Sequence, residues 1–363
     1  MITINYGKNW VKTTYDTLAK SDINSYLSKG MVVSIKPNLV IPSPPNNGAT
    51  THPEVLEGII QFLNDFGIQK IQIMESSAVG YSTQKAYKVC GYEYLEKKYG
   101  VTLIDLKNSN FKTLRPDDPL YNGLEIQIAE EALNAEFLIN VPVLKAHCQT
   151  RLTCCMKNLK GCIPEKEMRR FHTLGLHKPI AALASLLPIH YNVIDGICGD
   201  LTFEEGGSPI EANRIIAGRN PVLLDSYCAE LIGYKPESIG YLAYARNSDI
   251  GEFYSPETTV IELNSNQKPI HQQKANRLSK QYHNKNIKEN AACSVCYASL
   301  MFALHQVGGT ADTINKKICI GQGFKGKTSK SIDVIGIGNC TCGYDTYVAG
   351  CPPKAVDIIE VIQ

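Results

Sequence analysis

Short apolar, β-branched runs alternate with amphipathic stretches from residue 31 to residue 290, the pattern of an α/β domain. Strands are predicted over 31–35, 70–74, 101–105, 136–141, 192–197 and 214–217. Between the first two, Val55, Leu56, Ile59, Ile60 and Leu63 recur at three- and four-residue spacing. Pro53 at the first turn and Gly67 at the end frame a helix over 53–66. Two more helices, 221–231 and 236–245, each open on a proline. Residues 271–290 are polar and almost free of large apolar side chains, so an exposed helix or linker is expected there. The final segment repeats the α/β pattern in miniature, with a helix over 294–306, strands over 317–320 and 332–336, and a helix after Pro353. The expected architecture is a large domain, residues 1–285, with a mostly parallel sheet flanked by helices, and a small α/β domain, residues 286–363.

At 363 residues the chain is longer than single cores usually grow, which agrees with two domains. Its 44% hydrophobic and 20% charged residues are ordinary for a globular protein, and a net charge of +2 offers no electrostatic handle for nucleic acid or membrane. No apolar run approaches the ~18 residues of a membrane helix, and residues 1–8 lack a basic stretch leading into an apolar one. These features predict a cytoplasmic protein.

The chemistry is concentrated in two places. Six of the thirteen cysteines (293, 296, 319, 340, 342, 351) fall after residue 292. Cys293 and Cys296 form a C-x-x-C step at a predicted helix start, where the helix N-terminus favours thiolate charge. Cys340 follows a strand through Gly338 and Asn339, and Cys351 sits in a Gly-Cys-Pro-Pro turn before the last helix. Four thiolates on loops at one sheet edge can build a four-cysteine cluster site. Buried free thiols and a four-cysteine zinc site are the competing readings; zinc ribbons use two C-x-x-C knuckles, and only one is present. Cys342 could take the place of Cys340. The run Gly321, Gly323, Gly326 matches G-x-G-x-x-G after a strand, but no predicted helix follows directly and no acidic residue stands ~20 positions on, so it is read as a glycine-rich turn beside the cysteines.

The second place is residues 142–161, which carry Lys145, His147, Thr150, Arg151, Thr153, Lys157, Asn158 and Lys160 after an apolar strand. That density suggests an inward-facing polar site, with a solvated, salt-bridged helix face as the plain alternative. Glu75, Asp195 and Glu205 are the candidate partners for its cations. Lys36 and Asn38 close the first strong strand, and the loop 42–48 leading to a helix start suits an anionic group beyond the carboxyl ends of the strands. Cysteines 154, 155, 162 and 198 are read as core thiols.

The steps Val-Ser-Ile-Lys36-Pro-Asn38, Thr-His52-Pro-Glu-Val, Pro-Val-Leu-Lys145-Ala-His147, Met-Lys157-Asn158-Leu-Lys-Gly, Val-Ile-Asp195-Gly and Asn-Pro-Val-Leu-Leu-Asp225 resemble the family catalogued as domain of unknown function 362, over roughly residues 30 to 250. Some members carry an iron–sulfur domain. The family pattern singles out Lys36, Asn38, Lys145, His147, Lys157, Asn158, Asp195 and Asp225. It departs at Glu205-Gly-Gly-Ser-Pro209, where a Glu-Gly-x-Gly-Pro turn is expected. The C-terminal cysteines resemble the cluster-bearing fold of nickel–iron hydrogenase small subunits and of the related complex I subunit. That resemblance implies a 4Fe-4S cluster on Cys293, Cys296, Cys340 and Cys351.

Together these readings imply a redox enzyme. Single electrons would come from a ferredoxin-like donor, and Lys36, Lys145, His147, Lys157, Asn158 and Asp195 would hold and protonate an anionic small-molecule substrate. The alternatives are an electron relay or binding module with a structural cluster, and a Lewis-acid lyase, against which four cysteine ligands argue. The redox reading requires the substrate site to lie near the cluster.

Overall fold

The computed structural model describes residues 1–202, 206–269, 275, 286–308 and 316–363. Eight strands form one sheet in the order Val260–Leu263, Ile2–Tyr6, Pro209–Gly218, Tyr191–Asp200, Phe137–Val141, Val32–Pro37, Lys70–Glu75 and Thr102–Asp105. Pro209–Gly218 runs antiparallel to both neighbours, and every other pairing is parallel. The chain is therefore an α/β protein with a mostly parallel sheet. Apolar clusters lie on both of its faces, which is why Phe137–Val141 and Tyr191–Asp200 are buried along their whole length.

The helix Pro53–Phe66 forms as expected, closed by Gly67 at φ 99°. It packs on a helix, Trp10–Lys20, that the hydrophobic pattern did not reveal. A Cβ on Gly58 would stand 2.5 Å from the Val11 carbonyl oxygen, so glycine sets that close approach. The expected helix over 236–245 is corrected to a 3-10 turn, Pro236–Ser238, and a helix, Gly240–Asn247, because Ile239 between them is extended.

A second, four-stranded parallel sheet follows, in the order Ile287–Glu289, Lys317–Ile320, Val334–Ile337 and Tyr347–Val348. Helices Ser294–Gln306 and Ala355–Ile362 pack on it and close a separate apolar cluster around Leu300, Leu304, Ile318, Ile335 and Ile358. Hydrogen bonds tie this unit to the turn at Gln149 and to the helix Glu165–Thr173. Gln149 donates to the Ala292 carbonyl at 3.0 Å and accepts from Ser294 at 2.7 Å, and Gln322 donates to the Arg169 carbonyl at 2.9 Å. A Cβ on Gly80 would meet the Cys351 carbonyl at 2.6 Å. The expected boundary after residue 285 and most of the polar stretch 271–290 lie outside the described residues. Among the described residues no helix is long and apolar enough to cross a membrane.

Candidate functional site

Adjacent parallel strands deliver the first two charged groups. Lys36 sits beside Asn140 in the register of Val32–Pro37 against Phe137–Val141, and Glu75 ends the strand on the other side. Lys36 Nζ donates to Glu75 Oε2 at 2.9 Å and to the Pro37 carbonyl at 3.0 Å, with both side chains buried. Glu75 also accepts from the backbone N–H groups of Ser76, at 2.7 Å, and Leu39, at 3.3 Å. Burial pushes its carboxyl pKa up, against the pull of Lys36. Gly161 covers the pair so closely that a Cβ there would stand 2.7 Å from Lys36 Nζ and overlap Glu75.

Above this pair lies a cavity of about 100 Å³, lined by Asn38, Glu75, Lys145, His147, Lys157, Asn158, Lys160, His172 and Cys293 among others. Lys145 and His147 come from one strand of a short hairpin, Lys145–His147 paired with Arg151–Thr153. Lys145 Nζ donates to the Ala49 carbonyl at 2.6 Å. His147 Nδ1 accepts from the backbone N–H groups of Gln149 and Thr150, at 3.1 and 3.2 Å, which leaves the ring proton on Nε2. Burial, reinforced by Lys157, Lys160, His172 and Lys145, holds His147 well below the usual histidine range. His172 is lowered in the same way, by burial and by Lys160 and Lys157. Burial first, and the neighbouring lysines second, thus keep both imidazoles neutral.

Lys157 and Asn158 end the helical turn Cys155–Asn158. Asp225 fixes its start by accepting from the N–H groups of Cys155, at 2.7 Å, and Met156, at 3.1 Å. Asn158 donates to Asn140 Oδ1 at 2.8 Å, and Asn140 donates to Asn192 at 2.9 Å, so a file of amides runs from the helical turn across two strands. Cys154, Cys155 and Asp225 place ligand atoms within 4.8 Å of one another, a fully buried group of a kind that can hold a metal. Both Asp225 oxygens already serve the helix start, and burial pushes this carboxyl up to about 6.

Of the polar residues singled out from the sequence, Asn38, Lys145, His147, Lys157 and Asn158 line the cavity and Lys36 supports it through Glu75. Asp195 does not line it. It accepts from the backbone N–H and Nδ1 of His52, each at 2.8 Å, and from the Ile197 N–H at 3.0 Å. Burial opposes protonation of His52, but Asp195 outweighs it and raises the imidazole to about 10. Glu205 and the turn containing it begin outside the described residues. Sequence reasoning missed His172, which lies on the charged helix Glu165–Thr173 and reaches the cavity only through tertiary packing.

The four expected cysteines line a second cavity, of about 330 Å³, together with Arg169, Gln322 and Lys325. Cys293 precedes the helix Ser294–Gln306 and Cys296 lies in its first turn. Cys340 and Cys351 follow Gly338 at φ 82° and Gly350 at φ 128°, backbone conformations that favour glycine. Burial pushes the Cys293 and Cys340 thiols up, and the nearby Cys351 pushes both further. Gln322 Nε2 points at Cys293 Sγ from 3.8 Å. Gly321 and Gln322 form a turn on the cavity wall with only a 3-10 segment, Gln322–Phe324, after them. Cys319 and Cys342 are not among the lining residues. Cys293 and the lining of the first cavity meet directly, because this cysteine belongs to both walls.

Residues 33–230 match the family described as Domain of unknown function (DUF362). The chain belongs to this family. The match takes in the lysines, histidines and asparagines of the first cavity and ends before the C-terminal cysteines. This DUF362 chain is 25% identical over 232 residues to the thylakoid-associated protein sll1697 of Synechocystis sp., covering 61% of the chain and 69% of that protein. Among solved structures it is similar to the lactate racemase apoprotein of Thermoanaerobacterium thermosaccharolyticum, with 15% identity, a TM-score of 0.42, and coverage of 64% of this chain and 57% of that one. A protein from Thermotoga maritima is similar at 12% identity and a TM-score of 0.37, covering 52% of this chain and 51% of its own. The chain thus spans little more than half the length of either solved structure.

Proposed function

We propose that this DUF362 protein is a cytoplasmic redox enzyme in which a 4Fe-4S cluster on Cys293, Cys296, Cys340 and Cys351 serves the one-electron reduction of an anionic small molecule held among Lys145, Lys157 and Lys160. The observation that carries the reading is the shared wall: Cys293 lines both the cysteine cavity and the lysine cavity. The donor set fits the group. Four thiols surround a space far larger than a single ion needs, and the resemblance to hydrogenase small subunits supports the same ligand set. When bound, such a cluster supplies one-electron chemistry.

The chain's own residues supply the rest. Lysine ammonium groups draw an anion into the cavity, and Lys157 and Lys160 are the proton donors at hand. Neutral His147 offers Nε2–H as a hydrogen-bond donor without adding charge. Lys36, neutralised by Glu75, positions the strand ends and takes no part in anion capture. In this reading residues 1–285 hold substrate and residues 286–363 hold the cluster. Cys351 is exposed, with Lys325 and Arg169 lining the same cavity, which supports docking of an acidic, ferredoxin-like donor at that edge. The same exposure supports the second reading, an electron relay without catalysis of its own.

The test is anaerobic purification followed by iron, sulfide and zinc analysis and electron paramagnetic resonance after dithionite reduction, for wild type and Cys351→Ala. About four irons and four sulfides per chain, with a reduced-cluster signal lost in the variant, are expected. One zinc and no sulfide would sink the proposal.

A further inference from the structure

On the far side of His147 and His172 lies an open cleft of about 610 Å³ between the two units, also lined by Arg151, His177, Tyr234 and Tyr297. The two histidines therefore form a partition, with the lysine cavity on one side and this cleft on the other. Arg151 is the unusual residue here. It closes the three-residue turn of the hairpin, opposite His147, with φ 69°. It is the strand residue paired with His147, and a residue with a Cβ is strained at that left-handed φ. Among the described residues the half-buried Arg151 side chain makes no hydrogen bond and no ion pair. A half-buried guanidinium that faces an open cleft can take an anionic ligand as its partner, and the cleft leaves room for one. The cleft's lining also includes Glu289, which accepts from the Ala292 N–H at 2.8 Å.

We propose that this cleft is a binding subsite in which Arg151 takes the carboxylate or phosphate group of an organic anion whose planar or apolar part lies along Tyr234 and Tyr297. Its ligand rests against the outer faces of His147 and His172, so the subsite is placed to select the distal end of a substrate bearing two anionic groups. This last step rests on the anionic-substrate reading of the lysine cavity; the Arg151 subsite itself does not. Arg151 is a positioning residue, since it is separated from the lysine cavity by the histidines.

The test is calorimetric titration of the anaerobic holoprotein with inorganic phosphate and with phenyl phosphate, for wild type, Arg151→Gly, Arg151→Lys and Lys157→Ala, together with the melting temperature of each. Wild type is expected to bind phenyl phosphate more tightly than phosphate. Arg151→Gly should weaken phenyl phosphate binding by about tenfold or more while its melting temperature holds or rises, because glycine relieves the strain. Arg151→Lys should recover part of the affinity, as a point charge lacking the fork. Unchanged affinity in Arg151→Gly would overturn the subsite, as would a fall in its melting temperature with no change in binding, which marks a purely structural arginine. Loss in Lys157→Ala alone would also overturn it and leave the lysine-cavity reading standing. Loss in Arg151→Gly with full binding in Lys157→Ala would establish the cleft and count against anion capture in the cavity.

Discussion

In the lysine cavity the key side chains are fixed by other side chains far away in the sequence: Lys36 by Glu75, Asn158 by Asn140, and the helical turn carrying Lys157 by Asp225. Of the four cysteines, Cys293 and Cys296 instead sit at the start of a helix, and Cys340 and Cys351 on turns shaped by Gly338 and Gly350, with Cys351 exposed. One site is held by charge pairing inside a core, where a broken partner is costly. The other is held by backbone conformation at a surface, where thiolates need a metal group more than they need one another. Damage should therefore travel differently in the two. Loss of a polar partner should unfold the first, whereas loss of a cysteine should cost the second the cluster proposed for it and leave the large sheet standing.

The strongest way to break this contrast is Glu75→Gln. It leaves Lys36 buried without its counter-charge, and removing one member of a buried pair costs about 3–5 kcal/mol. Urea unfolding followed by tyrosine fluorescence should show that loss, whereas Cys340→Ser should lower bound iron and leave the main transition in place. Equal stability losses in both variants would mean that the two cavities belong to one cooperative frame.

The pair His52–Asp195 gives an effect of similar size, and its sign is set by the raised histidine. With a folded pKa of about 10 against about 6.5 unfolded, the folded state holds the proton more tightly. Its contribution, on the order of 5 kcal/mol, is fully present below pH 6.5 and is lost as pH climbs through 10. His52→Gln removes it, so the stability difference between wild type and variant should shrink steadily from pH 6.5 to pH 10. A difference that stays constant over that range would show that the imidazole is neutral throughout.

These two sites were not equally legible. The strands at Val32–Pro37 and Lys70–Glu75 and the helix Pro53–Phe66 follow from β-branched runs and from proline and glycine at helix ends, all local signals. Ile2–Tyr6 escaped because its residues alternate Ile, Thr, Ile, Asn, Tyr, although the strand is buried on both faces between two neighbours. The cysteines were legible because turn residues and thiols sit together in short segments. The partner of Asp195 was not, since His52 lies 143 residues away, and neither was His172, whose helix carries Glu165, Lys166, Glu167, Arg169 and Arg170 and resembles a solvated face. Side-chain pairing across a sheet leaves no periodic trace in the chain.

Gly161→Ala tests the lysine cavity from above. Its new methyl would have to displace the Glu75 carboxylate, and overpacking of that kind costs about 1–3 kcal/mol. The variant should be less stable than wild type in urea and should bind phosphate more weakly, since Lys157 and Lys160 flank the same glycine. An unaltered unfolding midpoint would mean that the Lys36–Glu75 pair can shift sideways at no cost.

The smallest effect is expected where the two cavities touch. Gln322 donates one hydrogen bond to the Arg169 carbonyl and directs the same amide toward Cys293 Sγ. In Gln322→Ala the junction loses about 1 kcal/mol, too little to separate the units. The sulfur loses a donor that stabilises negative charge, so a cluster held there as proposed should become harder to reduce and its potential more negative. Redox titration monitored by electron paramagnetic resonance measures that shift. Lys157→Ala supplies the control, because it alters the neighbouring cavity and leaves the amide in place. A potential lowered only by Gln322→Ala ties Cys293 to the cluster. An unmoved potential would place the Gln322 amide too far from the ligand sulfur to matter and remove Cys293 as the bridge between the two cavities.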